Sequence, residues 1–225
     1  MTACLTAIDQ RAAFYLPGSP ATIERLHNAL SIHDFTRGTV LARQGDMPRN
    51  VHFLESGYVG TTVTSPQAHD YIIAFFRPGD VFLLCSVMLN TPYPVAITLL
   101  QDSRIATVPV ELFRACAATD LTLATGVAKA LATQRQILAV HIRDLKLQPP
   151  AQRLASFLLN LAEDGDSRSA LLLPCDRRIL AGWLGLVPAS ASRAFRELER
   201  IGITGRGRQI EIASLDRLRE FVHAA

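Results

Sequence analysis

Seven arginines lie between Asp176 and Arg208, against three acids. Two of them, Arg193 and Arg196, share a segment with Ser190 and Ser192 at spacings that gather on one face of a helix. Guanidinium and hydroxyl groups so placed suit base edges and phosphates. Arg200 lies one turn further on. Arg206 and Arg208 occupy the run Gly205-Arg206-Gly207-Arg208, where glycine supplies a turn and arginine a phosphate grip. The chemistry to expect is nucleic-acid binding. The competing reading is an Arg-rich solvated face on a helical bundle.

The rest of the chain is poor in reactive constellations. The four cysteines, Cys4, Cys85, Cys116 and Cys175, are far apart and form no CxxC pair, which argues against zinc, a dithiol motif or a disulfide framework. Neither Cys85 nor Cys116 has a charged neighbour that would activate a thiol switch. No catalytic triad, metal spacing or phosphate loop is present, and the six histidines are scattered, so an enzyme is rejected.

The 225 residues are 49% hydrophobic and 19% charged, enough for a sizeable core in one or two domains. Charge is unevenly placed. Residues 1–120 hold eight basic side chains against ten acids, so a mildly acidic front precedes the basic patch. The N-terminus lacks the pattern of a signal peptide, and with the cysteine usage this predicts a cytoplasmic protein. Val81–Gln101 carries no charge and is long enough to span a bilayer. Asn90, Thr91, Pro92 and Pro94 interrupt it, so it is read as a strand or short helix, a turn, and the strand Val95–Leu100.

Three regions must position these groups. A small helix is expected over Ala21–Ser31. From Phe35 to Val110, short β-branched and aromatic runs (Val51–Leu54, Tyr58–Thr64, Tyr71–Phe76, Val95–Leu100, Ile105–Val108) alternate with Gly38, Gly45, Gly57 and Gly79. That spacing predicts a closed barrel or roll. From Leu112 to Leu147 the pattern is helical. Leu121, Ala128, Arg135 and Ile142 recur every seven residues, as do Ala124, Leu131, Leu138 and Leu145. The seam suits pairing with a second copy, against a stripe packed on its own barrel. Gln148-Pro149-Pro150 breaks the helix and is taken as the hinge; Pro150 can open the next one, Ala151–Glu163, with Leu154, Phe157, Leu158 and Leu161 on one face.

Beyond it, Ile179, Leu180 and Leu184 mark a short helix and Gly185 a tight turn. Pro188 starts a second helix, with Ser190 or a neighbour near its cap and Phe195, Leu198 and Ile201 inward. Ala181 and Gly185 permit a close crossing, and Ala191 lies where the helices meet. Two strands, Ile203–Arg208 and Gln209–Ile212, complete a winged helix-turn-helix.

These segments resemble the Crp/Fnr family of transcription regulators over almost the whole chain. The barrel resembles it in Gly38-Thr-Val-Leu-Ala-Arg-Gln-Gly45-Asp46, in Phe53-Leu-Glu-Ser-Gly57-Tyr-Val and in Phe76-Arg-Pro-Gly79-Asp80-Val-Phe82. The junction does so in Leu145-Lys-Leu with Arg153-Leu-Ala-Ser-Phe-Leu-Leu. The head does so in Leu180-Ala-Gly-Trp-Leu-Gly185, Ser192-Arg193 and Arg208-Gln-Ile-Glu-Ile-Ala with Leu215. The resemblance implies an α+β chain: a double-stranded β-helix (jelly-roll-like) effector barrel over 1–115, a dimerisation helix and hinge over 116–148, and a winged helix-turn-helix over 149–225. It also implies a homodimer on a palindromic DNA operator, RNA polymerase as a partner, and an effector that shifts the long helix and swings the heads. Ser190, Ser192, Arg193, Arg196, Arg206 and Arg208 would contact DNA. Leu121, Ala124, Ala128, Leu131, Leu138, Ile142 and Leu145 would pair the protomers.

The departures from the family bear on the effector. Where cyclic-AMP-binding members carry Phe-Gly-Glu and Arg-Ser-Ala, this chain has Phe82-Leu83-Leu84 and Pro94-Val95-Ala96. The Thr-Ser pair that meets adenine becomes Leu138-Ala139. A buried phosphate would lose hydration and gain no cation, so a cyclic nucleotide is disfavoured. An iron–sulfur cluster of the Fnr type needs several N-terminal cysteines, and only Cys4 is there. An apolar wall of Phe82, Leu83, Leu84, Cys85, Val87, Met88, Tyr93 and Leu138 remains, beside Pro94 and Val95. It leaves three readings open: a haem in a gas sensor, with Cys85, Met88, His52 or His69 as axial candidates; another small apolar ligand; or plain core without an effector. At the head, Ala189 replaces the family's Glu four residues before Arg193, which predicts half-sites altered at the base pair that Glu would read. The rival to a regulator is a haem- or apolar-ligand-binding module whose C-terminal domain docks protein.

Overall fold

The computed structural model describes residues 16–64, 70–164 and 170–223. Cys4 and His69 lie outside them. The chain divides into two compact units: one of residues up to Val63 with Ile73–Ile137, the other of Thr64–Ile72 with Leu138 onward. The division falls inside the long helix, ten residues before the Gln148-Pro149-Pro150 break.

The first unit opens with helix α1 (Pro20–Asn28), capped by the Ser19 hydroxyl, which accepts from the Thr22 amide. Strands β1 (Ser31–Phe35), β2 (Val40–Ala42), β3 (Asn50–Ser56), β4 (Val59–Thr64), β5 (Asp70–Phe76) and β6 (Val81–Phe82) follow. A short helix α2 (Leu84–Leu89) then precedes β7 (Ala96–Leu99) and β8 (Ser103–Pro109). One sheet has the order β1-β8-β3-β6 and the other β2-β7-β4-β5. The uncharged run is therefore barrel wall: β6, α2, a turn and β7. Among the described residues no helix is long and apolar enough to cross a membrane.

Strand β3 explains how the barrel is filled. Its residues alternate between two faces, and both are covered, so Val51, His52, Phe53 and Leu54 are all buried. Leu54 points between the sheets, with Val59, Phe76, Phe82, Tyr93, Ile97, Leu99 and Ile105. Val51 and Phe53 point the other way, into a second cluster beneath the helices.

Where the periodicity predicts one helix over Leu112–Leu147 there are two, α3 (Val110–Thr119) and α4 (Leu121–Leu147). Asp120 separates them in an extended conformation. Its carboxylate accepts from the amides of Thr122 and Leu123, capping α4, and from the amide of Ser19 at 2.7 Å. Hydrogen bonds from Thr22 and Ser19 hold this carboxyl well below the usual carboxylate range. An aspartate at a helix start is a cap rather than an interior residue, and the helical pattern read over Leu112–Leu147 runs through it unaware.

The second unit holds the C-terminal end of α4, then α5 (Pro150–Asp164), β9 (Ala170–Leu172), α6 (Arg177–Trp183), α7 (Pro188–Glu199), β10 (Ile203–Thr204), β11 (Gln209–Ile212) and α8 (Leu215–His223). Pro150 does open α5. Helix α6 begins two residues before Ile179, and Leu184 sits just past its end. The order β10-β11-β9 adds a third strand that the sequence pattern did not reveal. Only Ile203 and Thr204 of the predicted first wing strand are extended pairing partners; residues 205–208 are the turn.

Candidate nucleic-acid interface and effector chamber

Helices α6 and α7 meet through small residues. Ala181, Ala191 and Ala194 are buried, and Leu198 closes the apolar side of α7. Gly185 has φ +65, which an L side chain adopts only with strain, and a Cβ there would approach Leu145 Cδ2 at 2.9 Å. The turn between the helices therefore requires glycine. Pro188 is the first residue of α7, and its cap position is Val187, without a side-chain hydrogen bond. Ser190 is not the cap. It is half-buried on the first turn, its Oγ 3.5 Å from an Arg193 guanidinium nitrogen.

Ser192, Arg193, Arg196 and Arg200 all lie on the exposed side of α7. Arg206 is exposed at the wing tip and Arg178 on α6. Among the described residues the ion pairs of this unit fall on Arg143 and Arg219, and none is formed by these five arginines.

Arg208 behaves differently from its predicted role. Its Nε donates to the Leu173 carbonyl at 2.8 Å and an Nη to that of Pro174 at 3.4 Å. The half-buried guanidinium anchors the wing to the β9 segment. Arg177, which the motif reading passed over, is its counterpart. Its guanidinium lies 4.1 Å from the centroid of the Phe195 ring and donates to the carbonyls of Gly205 and Gly207, both at 2.8 Å. It ties the wing turn to both helices. Gly205 makes the turn possible: its φ is +149, and a Cβ would run into the Gln209 carbonyl oxygen. The signal for Arg177 was available only as one more arginine, because its partners are main-chain oxygens about thirty residues away.

The wall residues of the proposed chamber do not converge on one space. Phe82 and Tyr93 belong to the cluster between the sheets, with Leu83 packed against it. Leu84 and Val87 belong to the cluster under the helices. Cys85, Met88 and Pro94 are exposed, Val95 is half-buried, and Leu138 is 39% exposed. Leu83 stands out for its backbone. It precedes α2 with φ +56, a left-handed conformation that costs a non-glycine residue about 1–2 kcal/mol. The chain keeps the geometry of a glycine elbow while placing a leucine there, and that leucine lies against the interior cluster.

The haem candidates are equally dispersed. Cys85 and Met88 are on the exposed side of α2, and His52 is inside, stacked on Phe82 with ring centroids 5.3 Å apart. Burial lowers the His52 pKa from 6.5 to about 4. Among the described residues no group of His, Cys, Asp and Glu is arranged to hold a metal ion.

The pairing seam is mixed. Leu123, Gly126 and Val127 face the unit's own core, with Ala130 and Leu131 packed against it. Ala124, Leu131 and Leu145 are half-buried in their own chain, whereas Leu121, Ala128, Arg135, Leu138 and Ile142 are exposed, Leu121 at 82% and Ile142 at 52%. One face of the helix packs on its own unit, and the residues expected to pair the protomers lie mostly on the exposed side beside it.

Two family models match the chain: a cyclic nucleotide-binding domain over residues 32–120 and a Crp-like helix-turn-helix domain over residues 152–221. The transcriptional activator protein FnrA of Stutzerimonas stutzeri is 26% identical over 188 residues, which cover 78% of this chain and 74% of that protein. A solved regulatory protein of Silicibacter pomeroyi, described as cAMP-binding, matches at 26% identity and a TM-score of 0.68, covering 93% of each chain. FixK2 from Bradyrhizobium japonicum shares the fold, with a TM-score of 0.78 at 23% identity over 87% of this chain and 98% of its own.

Proposed function

The chain belongs to the Crp/Fnr family of DNA-binding transcription regulators, and from that premise we propose that it acts as a homodimer whose barrel answers to no cyclic nucleotide. The observation that carries the DNA reading is the set of five exposed arginines without acids on α6, α7 and the wing. Arg193, with Ser190 and Ser192 beside it, reads base edges. Arg178, Arg196, Arg200 and Arg206 hold phosphates, while Arg177 and Arg208 keep the wing in place. Two copies joined along Leu121, Ala124, Ala128, Leu131, Leu138, Ile142 and Leu145 present two heads to a palindromic operator. Ala189 shifts the half-site away from the family's usual sequence, and RNA polymerase is the partner downstream.

The filled barrel supports the rest. Leu83 leans on an interior closed by Phe76, Phe82, Tyr93 and Ile97. Neither Pro94 nor Val95 offers a cation, so a cyclic phosphate there would be desolvated without compensation. The separation of Cys85, Met88 and His52 speaks against haem in the same way.

Site selection followed by a mobility-shift titration tests the DNA half. Four phosphate contacts per protomer give a salt slope of about −7 in log K against log salt. Arg193→Ala should lower operator affinity at least about tenfold, the order of one lost bidentate base contact. A salt-independent shift would point to a head that docks protein. Calorimetry with cyclic AMP and cyclic GMP tests the barrel half: no heat is expected, and micromolar uptake of either would overturn it.

A further inference from the structure

The tip of the wing is the run Gly205-Arg206-Gly207, and its own sequence does little to hold it still. Gly205 has φ +149 and Gly207 φ +61, conformations that only glycine takes freely. Glycine also loses the most conformational freedom when it is ordered. Left to itself, such a tip would fluctuate and carry Arg206 with it. Order has to come from elsewhere in the head.

Arg177 supplies it. This half-buried side chain is the first of α6. Its Nε donates to the Gly207 carbonyl and an Nη to the Gly205 carbonyl, both at 2.8 Å. One planar fork thus holds the oxygens of the two residues that flank Arg206. The same guanidinium lies 4.1 Å from the centroid of the Phe195 ring, two residues after Arg193 on α7. Glu199, also on α7, is near enough to favour its charge. A single side chain therefore joins the start of α6, the body of α7 and the wing tip. Two main-chain bonds close the turn behind it. The Gln209 amide donates to the Arg206 carbonyl at 3.1 Å, and the Leu173 amide to that of Arg208 at 2.8 Å. The Arg206 side chain stays exposed.

By charge alone Arg177 would count among the phosphate-gripping arginines. Its geometry points elsewhere, because its fork meets main-chain oxygens and its flat face meets a ring. We propose that Arg177 is a positioning residue: it fixes Arg206 in register with the base-reading helix α7, so that the phosphate contact of Arg206 depends on a side chain that holds no phosphate itself. The consequence for DNA rests on the function proposed above; the brace on the wing tip does not. A tip ordered beforehand binds without first losing its glycine entropy, so the brace raises affinity and leaves base preference to Arg193.

Mobility shifts on the selected operator over a range of salt test this with single and double variants. Arg177→Met keeps the length of the side chain and can still pack on Phe195, but has no N–H for the carbonyls. It should take about two from the salt slope of the dimer, as Arg206→Ala does, with half-site preference unchanged. Combining Arg177→Met with Arg206→Ala should leave affinity within about threefold of Arg206→Ala alone, because the two side chains act as one unit. A phosphate contact made by Arg177 itself would instead lower the slope by about two more in the double variant. Wild-type protein without DNA requires no variant. Nitrogen-15 relaxation of the amides of 205–208 should give order parameters near about 0.85, as in α7. A full salt slope in Arg177→Met, multiplicative losses in the double variant, or order parameters below about 0.6 at the tip would each overturn the proposal. A wild-type protein that binds no duplex would defeat the DNA reading, and relaxation would still decide the brace.

Discussion

The barrel and the reading head differ in how their arginines are partnered. In the barrel Arg104 and Arg114 are neutralised or capped, whereas Arg25, Arg43 and Arg49 are exposed. Arg104 forks between Glu55 at 3.0 Å and Asp34 at 3.4 Å. Arg114 donates to the Val87 carbonyl and the Asn90 side chain, closing the end of α2, and pairs with Glu111. In the head, Arg177 and Arg208 donate to main-chain carbonyl oxygens, with Glu199 also near Arg177. Arg178, Arg193, Arg196, Arg200 and Arg206 are left with their charge exposed. Arginines neutralised within their own unit, as Arg104 and Arg114 are, serve its stability. A unit that leaves them open keeps a field for an anionic partner, at some cost in self-repulsion.

The comparison breaks most sharply at the barrel interior. Leu54 is fully buried between the sheets, so Leu54→Ala should lower barrel stability by about 2–5 kcal/mol. Far-UV circular dichroism should follow that loss, whereas Trp183 emission, which reports on the head, should move less.

His52 gives the next largest effect. Its folded pKa of about 4 lies below 6.5, so the unfolded chain takes up the proton first as pH falls. Stability is complete above about pH 6.5 and declines toward pH 4, by about 3 kcal/mol in all. His52→Gln should flatten that decline in denaturant titrations across the same pH range. An unchanged slope would show that another group carries it.

The smallest effect sharpens the contrast within the head. Arg206→Ala should reduce the salt slope by about two for a dimer and leave half-site preference and melting temperature alone. Arg208→Ala, two residues away, should lower the stability of the head because the Leu173 carbonyl loses its donor, by roughly 1–3 kcal/mol. Equal salt slopes in the two variants would erase the distinction.

Much of the frame was legible in the residue pattern. The alternation in Val51–Leu54 and Tyr71–Phe76, the glycines between strands and the order of Leu180, Gly185, Pro188 and Arg193 are local signals, and local signals survive folding. The candidate sites were legible only where geometry is local too. Arg193 and Arg196 follow from helical spacing. The contacts of Arg208 to carbonyls about thirty-five residues away and those of Arg177 were not legible, because spacing along the chain does not bring such partners together. The wall list treated the run from Phe82 to Tyr93 as one surface, whereas a strand turning into a short helix sends its side chains to two clusters and to solvent.

By itself the sequence determined which elements form, since periodicity, caps and turn residues act over a few positions. It also placed Pro94 and Val95, neither of them a cation, where the family resemblance expects a phosphate-gripping segment. Only the tertiary structure decided which arginines stay free, that Leu83 fills a glycine elbow, and that Arg177 meets Phe195 and the wing carbonyls. Those outcomes depend on which main-chain oxygens and ring faces come within reach once distant segments pack, and spacing along the chain carries no record of that.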